Sequence, residues 1–226
     1  MSNSDAEYNH NLVEQLRQPY GARGLQVAAL MHESNLNMTH TCFSCVDIVP
    51  GDVLLEVGHG NGAHVRQFFE AVPNMSYQGL EVSWLMHHEA MRLNRASVAN
   101  GKACFKVYDG DSFPFSDQKF EKIITVNTLD FLSDFVRFLS ESYRTLKVGG
   151  KFGMAFASRD FMRSLPFIPS TFRLFEISQV EQLISNAGFV NVIEVNVHEE
   201  SIINNEFASP RLGREFSVIV ASKSHA

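Results

Sequence analysis

The stretch Val53-Leu54-Leu55-Glu56-Val57-Gly58-His59-Gly60-Asn61-Gly62 constrains this chain more than any other. Its first five residues are mostly apolar and partly β-branched, the pattern of a buried strand. The glycines at 58, 60 and 62 then permit a tight turn through dihedrals that a Cβ would forbid. Beyond them Val65, Phe68, Phe69 and Val72 fall at i, i+3, i+4 and i+7, one face of a helix. A strand, a glycine turn and a helix N-terminus make a pocket where an adenosine-bearing molecule can approach bare backbone.

The rest of the chain fits such a pocket into one α/β domain. At 226 residues it is long enough for a sizeable core, and with 45% hydrophobic and 19% charged residues order is expected through most of its length. No apolar run approaches the ~18–20 residues that span a bilayer. The polar start, Met1 to His10, lacks the basic and apolar regions of a secretory signal. Three cysteines (Cys42, Cys45, Cys104) suggest no disulfide framework, so a cytoplasmic location is expected. The net charge of −6 gives no footprint for nucleic acid.

Residues 11 to about 48 read as helical in pieces, broken at Gln18-Pro19-Tyr20-Gly21 and again near Gly24, with Leu25, Ala28, Ala29 and His32 on one face. Residues 1–50 are therefore expected to form a helical cap, and 51–226 the main domain. There strands at 53–57, 76–82, 102–108, 122–127 and 151–157 alternate with helices at 63–72 and 84–99 and with one containing Phe131, Phe135, Phe138, Leu139 and Leu146. Such alternation means a parallel sheet with helices on both faces. After an irregular segment, 158–177, Ser178 and Glu181 suggest a capping box for a helix closed by Gly188. Strands from Phe189 and over Glu215 to Ala221, with only the polar loop 196–214 between them, are expected to form an antiparallel pair. The fold expected is thus Rossmann-like and doubly wound: seven strands, mostly parallel, with an antiparallel last strand.

Four blocks in this order resemble the class I S-adenosylmethionine-dependent methyltransferases, over residues 50–222. Glu56 to Gly62 is similar to that family's glycine-rich first motif, and Gln78-Gly79-Leu80-Glu81-Val82-Ser83 to its second. Tyr108-Asp109-Gly110-Asp111-Ser112-Phe113-Pro114-Phe115 resembles the third, and Leu146-Lys147-Val148-Gly149-Gly150-Lys151-Phe152 the turn before strand five. The resemblance implies S-adenosyl-L-methionine as cofactor, S-adenosyl-L-homocysteine as product and methyl transfer to a small-molecule acceptor. It also implies cofactor contacts from Glu56, Gly58, Gly60, Gly62, Glu81, Val82, Asp109, Gly110 and Asn127. Glu81 follows the last loop glycine by 19 residues, where a carboxylate accepts bonds from both ribose hydroxyls. Asp109 is the adenine-side acid, with Asp111 its rival. Thr128 either meets the pocket or caps the next helix.

Other readings stay open at this point. A nicotinamide oxidoreductase also uses a strand, a glycine loop and a distal acid; Gly58, Gly60 and Gly62 fit only G-x-G-x-G, although Ala63 would satisfy a G-x-G-x-x-A variant. A protein that binds the sulfonium nucleoside without turnover is a third. Methyl transfer is an in-line displacement that needs a general base only for a protonated acceptor. Weak candidates for that role are His59 and Asp130, with His87 and His88 behind them. His40, Cys42, Cys45 and His32 lack the paired spacing of a metal centre, so no metal is expected. Arg17, Tyr20 and Arg23 surround a turn that either lids the site near the methionine carboxylate or is a solvated surface turn. Phe161, Met162, Leu165, Phe167, Ile168, Phe172 and Phe175 either wall an acceptor pocket or form a satellite core.

Overall fold

The computed structural model describes residues 11–165, 168, 173–200 and 213–224. A short helix α1 (11–17) precedes α2 (Gly21–Cys45); then come β1 (Val53–Val57), α3 (Val65–Ala71), β2 (Ser76–Glu81), α4 (Trp84–Leu93), α5 (Arg95–Ala99) and β3 (Ala103–Val107). The second half holds β4 (Phe120–Val126), a 3-10 turn (Leu129–Phe131), α6 (Phe135–Thr145), β5 (Leu146–Ala157), α7 (Arg159–Ser164), α8 (Ile177–Asn186), β6 (Phe189–Glu199) and β7 (Arg214–Lys223). The seven strands lie in the order β3-β2-β1-β4-β5-β7-β6. β1 to β5 are mutually parallel, and β7 runs antiparallel to both β5 and β6. The chain winds outward from β1 in one direction and, after β3, in the other. The switch point is therefore the crevice between β1 and β4, beyond the carboxyl ends of the strands.

Alternation within the strands fills both faces. Leu55, Val57 and Ile123 face α6 and α8, meeting Phe138, Leu139, Val180 and Ile184. Leu54, Ile124 and Val126 face the opposite layer, where Met38, Cys42 and Phe43 of α2 pack with Val65 and Phe68 of α3. Burial on both sides explains the near-continuous apolar runs of the inner strands. A third, small cluster joins Leu12 of α1 and Val27 of α2 to Leu16, Leu165 and Ile168.

Several expected boundaries move. α2 is one helix of 25 residues and does not break at Gly24. A Cβ at Gly24 would sit 3.0 Å from both Leu85 Cδ2 and the Pro19 carbonyl carbon, so close packing there outweighs glycine's low helix propensity of about 1 kcal/mol. The expected helix 84–99 divides at Asn94, whose side-chain amide donates back to the Ala90 carbonyl and across to Gly62 O. β4 and β5 begin earlier than expected, at Phe120 and Leu146, and Phe131 lies in the 3-10 turn, ahead of α6. The box at the start of α8 uses Glu176 and Gln179, not Ser178 and Glu181: the Glu176 N–H donates to Gln179 Oε1 at 2.9 Å. Along α2, Ala28 is buried, but Leu25 and Ala29 point to solvent.

Candidate active site

At the switch point the ends of β1, β2, β3 and β4 open into a cavity of about 450 Å³, roofed by the loop after α1 and by residues 28–39 of α2. The turn after β1 forms its floor. Gly58, at φ +78°, would bring a Cβ within 2.3 Å of Thr128 Cγ2, so only glycine lets the two strand ends meet. Gly60 has open space above it, whereas Gly62 lies behind the loop against Ala90 and Asn94 and does not line the cavity.

Glu81 ends β2 on the cavity wall and is almost fully buried. Its Oε2 accepts the Gly60 N–H at 3.0 Å, and its Oε1 accepts those of Val82 and Ser83 at 2.8 and 3.1 Å. The carboxylate thus ties the glycine loop to the neighbouring strand end. Burial, opposed by these three donors, pushes its pKa up to about 7. Asp109 after β3 also lines the cavity; its Oδ1 accepts the Asp111 and Ser112 N–H groups at 2.9 and 2.8 Å, which hold its carboxyl below the ordinary range. Asp111 is not among the cavity residues; its Oδ1 accepts the hydroxyl of Ser133, which is, at 3.4 Å. Val82 and Gly110 complete this wall, and the exposed Trp84 stands at its mouth.

The opposite half is built from side chains. Glu56 is buried and accepts the Tyr77 hydroxyl at 2.6 Å and His64 Nε2 at 2.8 Å, both on Oε2. Burial would raise its pKa, but His64 and Tyr77 hold it below the usual value. His64 stacks on His32 of α2, ring centroids 6.0 Å apart. Asn127, left-handed at φ +52°, donates to Asn35 Oδ1 at 2.8 Å and accepts the Ala157 N–H at 3.3 Å. Thr128 lines the cavity, with its hydroxyl bonded to that of Thr125 and no capping bond to the turn that follows. Arg214, 2% exposed, donates to Glu199 Oε2 at 2.6 Å and to the Ser34 carbonyl at 2.7 Å, fixing α2 over this end.

Of the sequence candidates, His59 is on the cavity lining but buried, and others fall outside the cavity. His59 has its ring under the loop: Nδ1 pairs with the Gly60 carbonyl at 2.8 Å, and Nε2 is buried without a partner. Burial takes its pKa down to about 4, so the ring is neutral and sealed, a poor geometry for a base that must reach an acceptor. Asp130 is not among the cavity residues, and burial lifts its carboxyl to about 6. His87 and His88 pack against Trp84 outside it. Of the lid candidates Arg17 lines the cavity; Tyr20 is exposed at the N-cap of α2, and neither it nor Arg23 reaches the cavity. Leu165 and Ile168 belong to the satellite cluster and Phe175 to the main core, so these residues do not wall the cavity. Phe167 and Phe172 lie outside the described residues. Cys42 is buried under the sheet, and among the described residues no three His, Cys, Asp or Glu side chains converge as a metal site. Sequence reasoning missed Asn35, His64 and Arg214; only the i, i+3, i+7 spacing of Ala28, Met31 and Asn35 signalled a second lined face.

A doubly wound sheet with its crevice at β1/β4, an acid at the end of β2 and a bare loop after β1 define a class I methyltransferase-type fold. Residues 54–150 match the family described as methyltransferase domain. The chain is 30% identical over 113 residues to YrhH of Bacillus subtilis (strain 168), a match covering 50% of this chain and 62% of that protein. It is 24% identical over 210 residues to phthiotriol/phenolphthiotriol dimycocerosates methyltransferase 1 of Mycobacterium ulcerans (strain Agy99), covering 85% and 71%. Phosphoethanolamine N-methyltransferase 2 of Haemonchus contortus, solved with phosphomonomethylethanolamine and S-adenosylhomocysteine, superposes with a TM-score of 0.65 at 16% identity, over 84% of this chain and 53% of that one. The chain thus spans less than two thirds of the length of YrhH and about half of the nematode structure. Residues 54–150 thus resemble a methyltransferase domain, and the fold is that of the nematode methyltransferase solved with S-adenosylhomocysteine.

Proposed function

We propose that this chain moves a methyl group from S-adenosyl-L-methionine to a small-molecule acceptor by in-line displacement. The observation that carries the reading is the cavity wall: Glu81 and Asp109 end successive strands facing a glycine loop with open space above Gly60. Glu81 accepts the ribose hydroxyls with the lone pairs its backbone donors leave over. Asp109 and the Gly110 N–H read the adenine edge, with Val82 against the ring. Glu56 and Asn127 serve the amino-acid end, and Gly58 and Gly60 let it lie on main chain. When bound, the sulfonium supplies an activated methyl group; the chain's task is to align the acceptor with it and exclude water.

The acceptor is small and not anionic. The cavity is near the lower end of the roughly 300–1,000 Å³ of ligand sites and must hold cofactor and acceptor together. Among the described residues its walls carry Glu56, Glu81 and Asp109 against one fixed cation, Arg17. This charge balance argues against a phosphorylated acceptor such as the one bound by the nematode enzyme. Of the cap expected over residues 1–50, the described part, 11–50, covers the site: Ser83 Oγ donates to the Pro19 carbonyl at 2.6 Å and Gln18 Nε2 to that of Val82 at 3.1 Å, with Arg17 on the cavity rim.

Calorimetry of the purified protein with S-adenosylhomocysteine and with NAD is the first test, with binding of the nucleoside thioether alone expected. Methyl-labelled cofactor and a cell extract should then put label into the small-molecule fraction. NAD binding without the thioether, or label confined to macromolecules, overturns the proposal.

A further inference from the structure

Five residues of α2, Ala28, Met31, His32, Asn35 and Thr39, line the cavity along one helical stripe, opposite the glycine loop. His32 is the one ionisable member of that stripe. Elsewhere in the cavity such groups are committed to the protein. Glu56 holds Tyr77 and His64, Glu81 holds three backbone donors, Asp109 holds two, and the His59 ring is sealed. Tyr108 is a phenol that burial keeps protonated. The half-buried His32 ring makes no hydrogen bond with any described residue, and its face is held by the stacked His64, itself fixed by Glu56. Asn35, one turn along the stripe, bonds Asn127 at the end of β4, the residue given above to the cofactor's amino-acid end, so His32 stands over the part of the cavity where that end carries its sulfonium.

From this geometry, and resting on the methyltransferase reading above, we infer that His32 is a catalytic residue that takes the proton the acceptor loses on methylation. The acceptor's X–H proton passes to an imidazole nitrogen as the X lone pair bonds to the methyl carbon. The C–S bond breaks with its electrons kept on sulfur; the products are methylated acceptor, thioether and an imidazolium that returns its proton to water. The charged and titratable groups facing His32 are His64 from the start of α3, Glu56 from β1, and Glu33 and His40 on its own helix. Burial and then His64 lower its pKa, outweighing the two carboxylates, so the ring is unprotonated at neutral pH as a base must be.

The test begins with calorimetry of wild type and His32→Gln against S-adenosylhomocysteine, with affinities expected to agree within about threefold. Failure of wild type to bind rejects the methyltransferase reading and the inference with it. With binding established, diethyl pyrocarbonate, which acylates accessible neutral imidazole, is applied at pH 7 with peptide mass mapping. His32 should be modified with and without the thioether, while His59 stays unmodified. Masking of His32 by the thioether, or no modification at all, leaves the methyltransferase reading standing and overturns this inference. A panel of phenols, amines and thiols is then assayed with methyl-labelled cofactor. For any acceptor that turns over, His32→Gln should lower kcat about 10²–10⁴-fold and remove the acid limb of its pH profile; an unchanged kcat or limb refutes the role. If no panel member turns over, the mapping decides alone.

Discussion

Glu81→Gln separates the two jobs assigned to the acid at the end of β2. In the wild type, Oε1 takes two backbone N–H groups and Oε2 a third. An amide keeps one oxygen, so at least the Gly60 N–H would face an NH₂, and a buried donor without an acceptor costs about 1–3 kcal/mol. The substitution also removes a buried charge. Burial raises the folded-state pKa to about 7 from 4.5, so the folded chain binds the proton more tightly than the unfolded one. The resulting stability is fully present below pH 4.5 and is lost as pH rises through 7. At about 1.4 kcal/mol per pH unit, the wild type should lose roughly 2–3 kcal/mol from this group between pH 5 and 8. Urea unfolding at the two pH values should show that slope in wild type and its disappearance in Glu81→Gln, the variant being less stable at pH 5 and nearly equal at pH 8. Cofactor binding should move separately. A diol donates best to an ionised acid, so wild-type affinity for S-adenosylhomocysteine should rise from pH 6 to 8. At pH 8 the variant should bind about ten- to a hundredfold more weakly, the worth of about 1.5–3 kcal/mol for a charged hydrogen bond. An affinity within about threefold of wild type, with the pH slope retained, would refute the reasoning on both counts.

Gly58→Ala combines a 2.3 Å approach to Thr128 Cγ2 with φ +78°, so denaturant unfolding should show a loss of about 2–4 kcal/mol. Adding Thr128→Ser, which removes the struck methyl group, should restore the packing part but not the backbone part. His59 is neutral in the folded chain down to about pH 4 and titrates near 6.5 when unfolded. Its stabilisation is whole above pH 6.5 and falls as pH drops toward 4, by roughly 3 kcal/mol, and unfolding curves of His59→Gln should lack this acid-side loss. Ser83→Ala deletes the bond to the Pro19 carbonyl and the cap on the Met86 N–H. It should cost about 1–2 kcal/mol, quicken thioether release in stopped-flow measurements and expose residues 11–20 to proteolysis.

What the sequence made legible is local. β1 and its glycine turn could be read directly because a buried parallel strand is apolar on both faces and the turn needs residues without a Cβ. Asp109 was favoured over Asp111 by its distance from Phe113-Pro114-Phe115; Asp109 lines the cavity, and Asp111 bonds Ser133 on its lining. The misreadings share one cause, contacts distant in sequence. Gly24 does not break α2 because Leu85 and Pro19 pack against it. Glu176 replaces Ser178 at the α8 cap because the helix begins at Ile177, which packs on the main core. His59, inviting as a base in the glycine loop, is held beneath Gly79 and against Phe105 of the neighbouring strands, with ring centroids 5.0 Å apart in the latter pair.

The two halves of the cavity are specified by different physics, and this explains why one was readable. On the β1–β3 side the groups offered to a ligand are backbone and the carboxylates Glu81 and Asp109, which are tied to backbone of the motif loops, so position in a motif nearly fixes position in space. On the β4 side the groups are side chains held by other side chains across the fold. Asn127 is oriented by Asn35, and Asn35 lies on the stretch of α2 that Arg214 clamps through the Ser34 carbonyl. Arg214 is balanced by Glu199, and Asn37 returns from α2 to the same carboxylate at 2.8 Å. Each link joins residues from separate elements, and none leaves a local pattern. A buried ion pair such as Arg214–Glu199 is a costly way to gain stability alone, since its desolvation penalty rivals its attraction. It does hold two polar termini in one register, with α2 at a set height over the strand ends. On the function proposed above, the nucleoside sits where the backbone dictates it, and the amino-acid end and the acceptor sit where a few long-range contacts can be exchanged without disturbing the sheet.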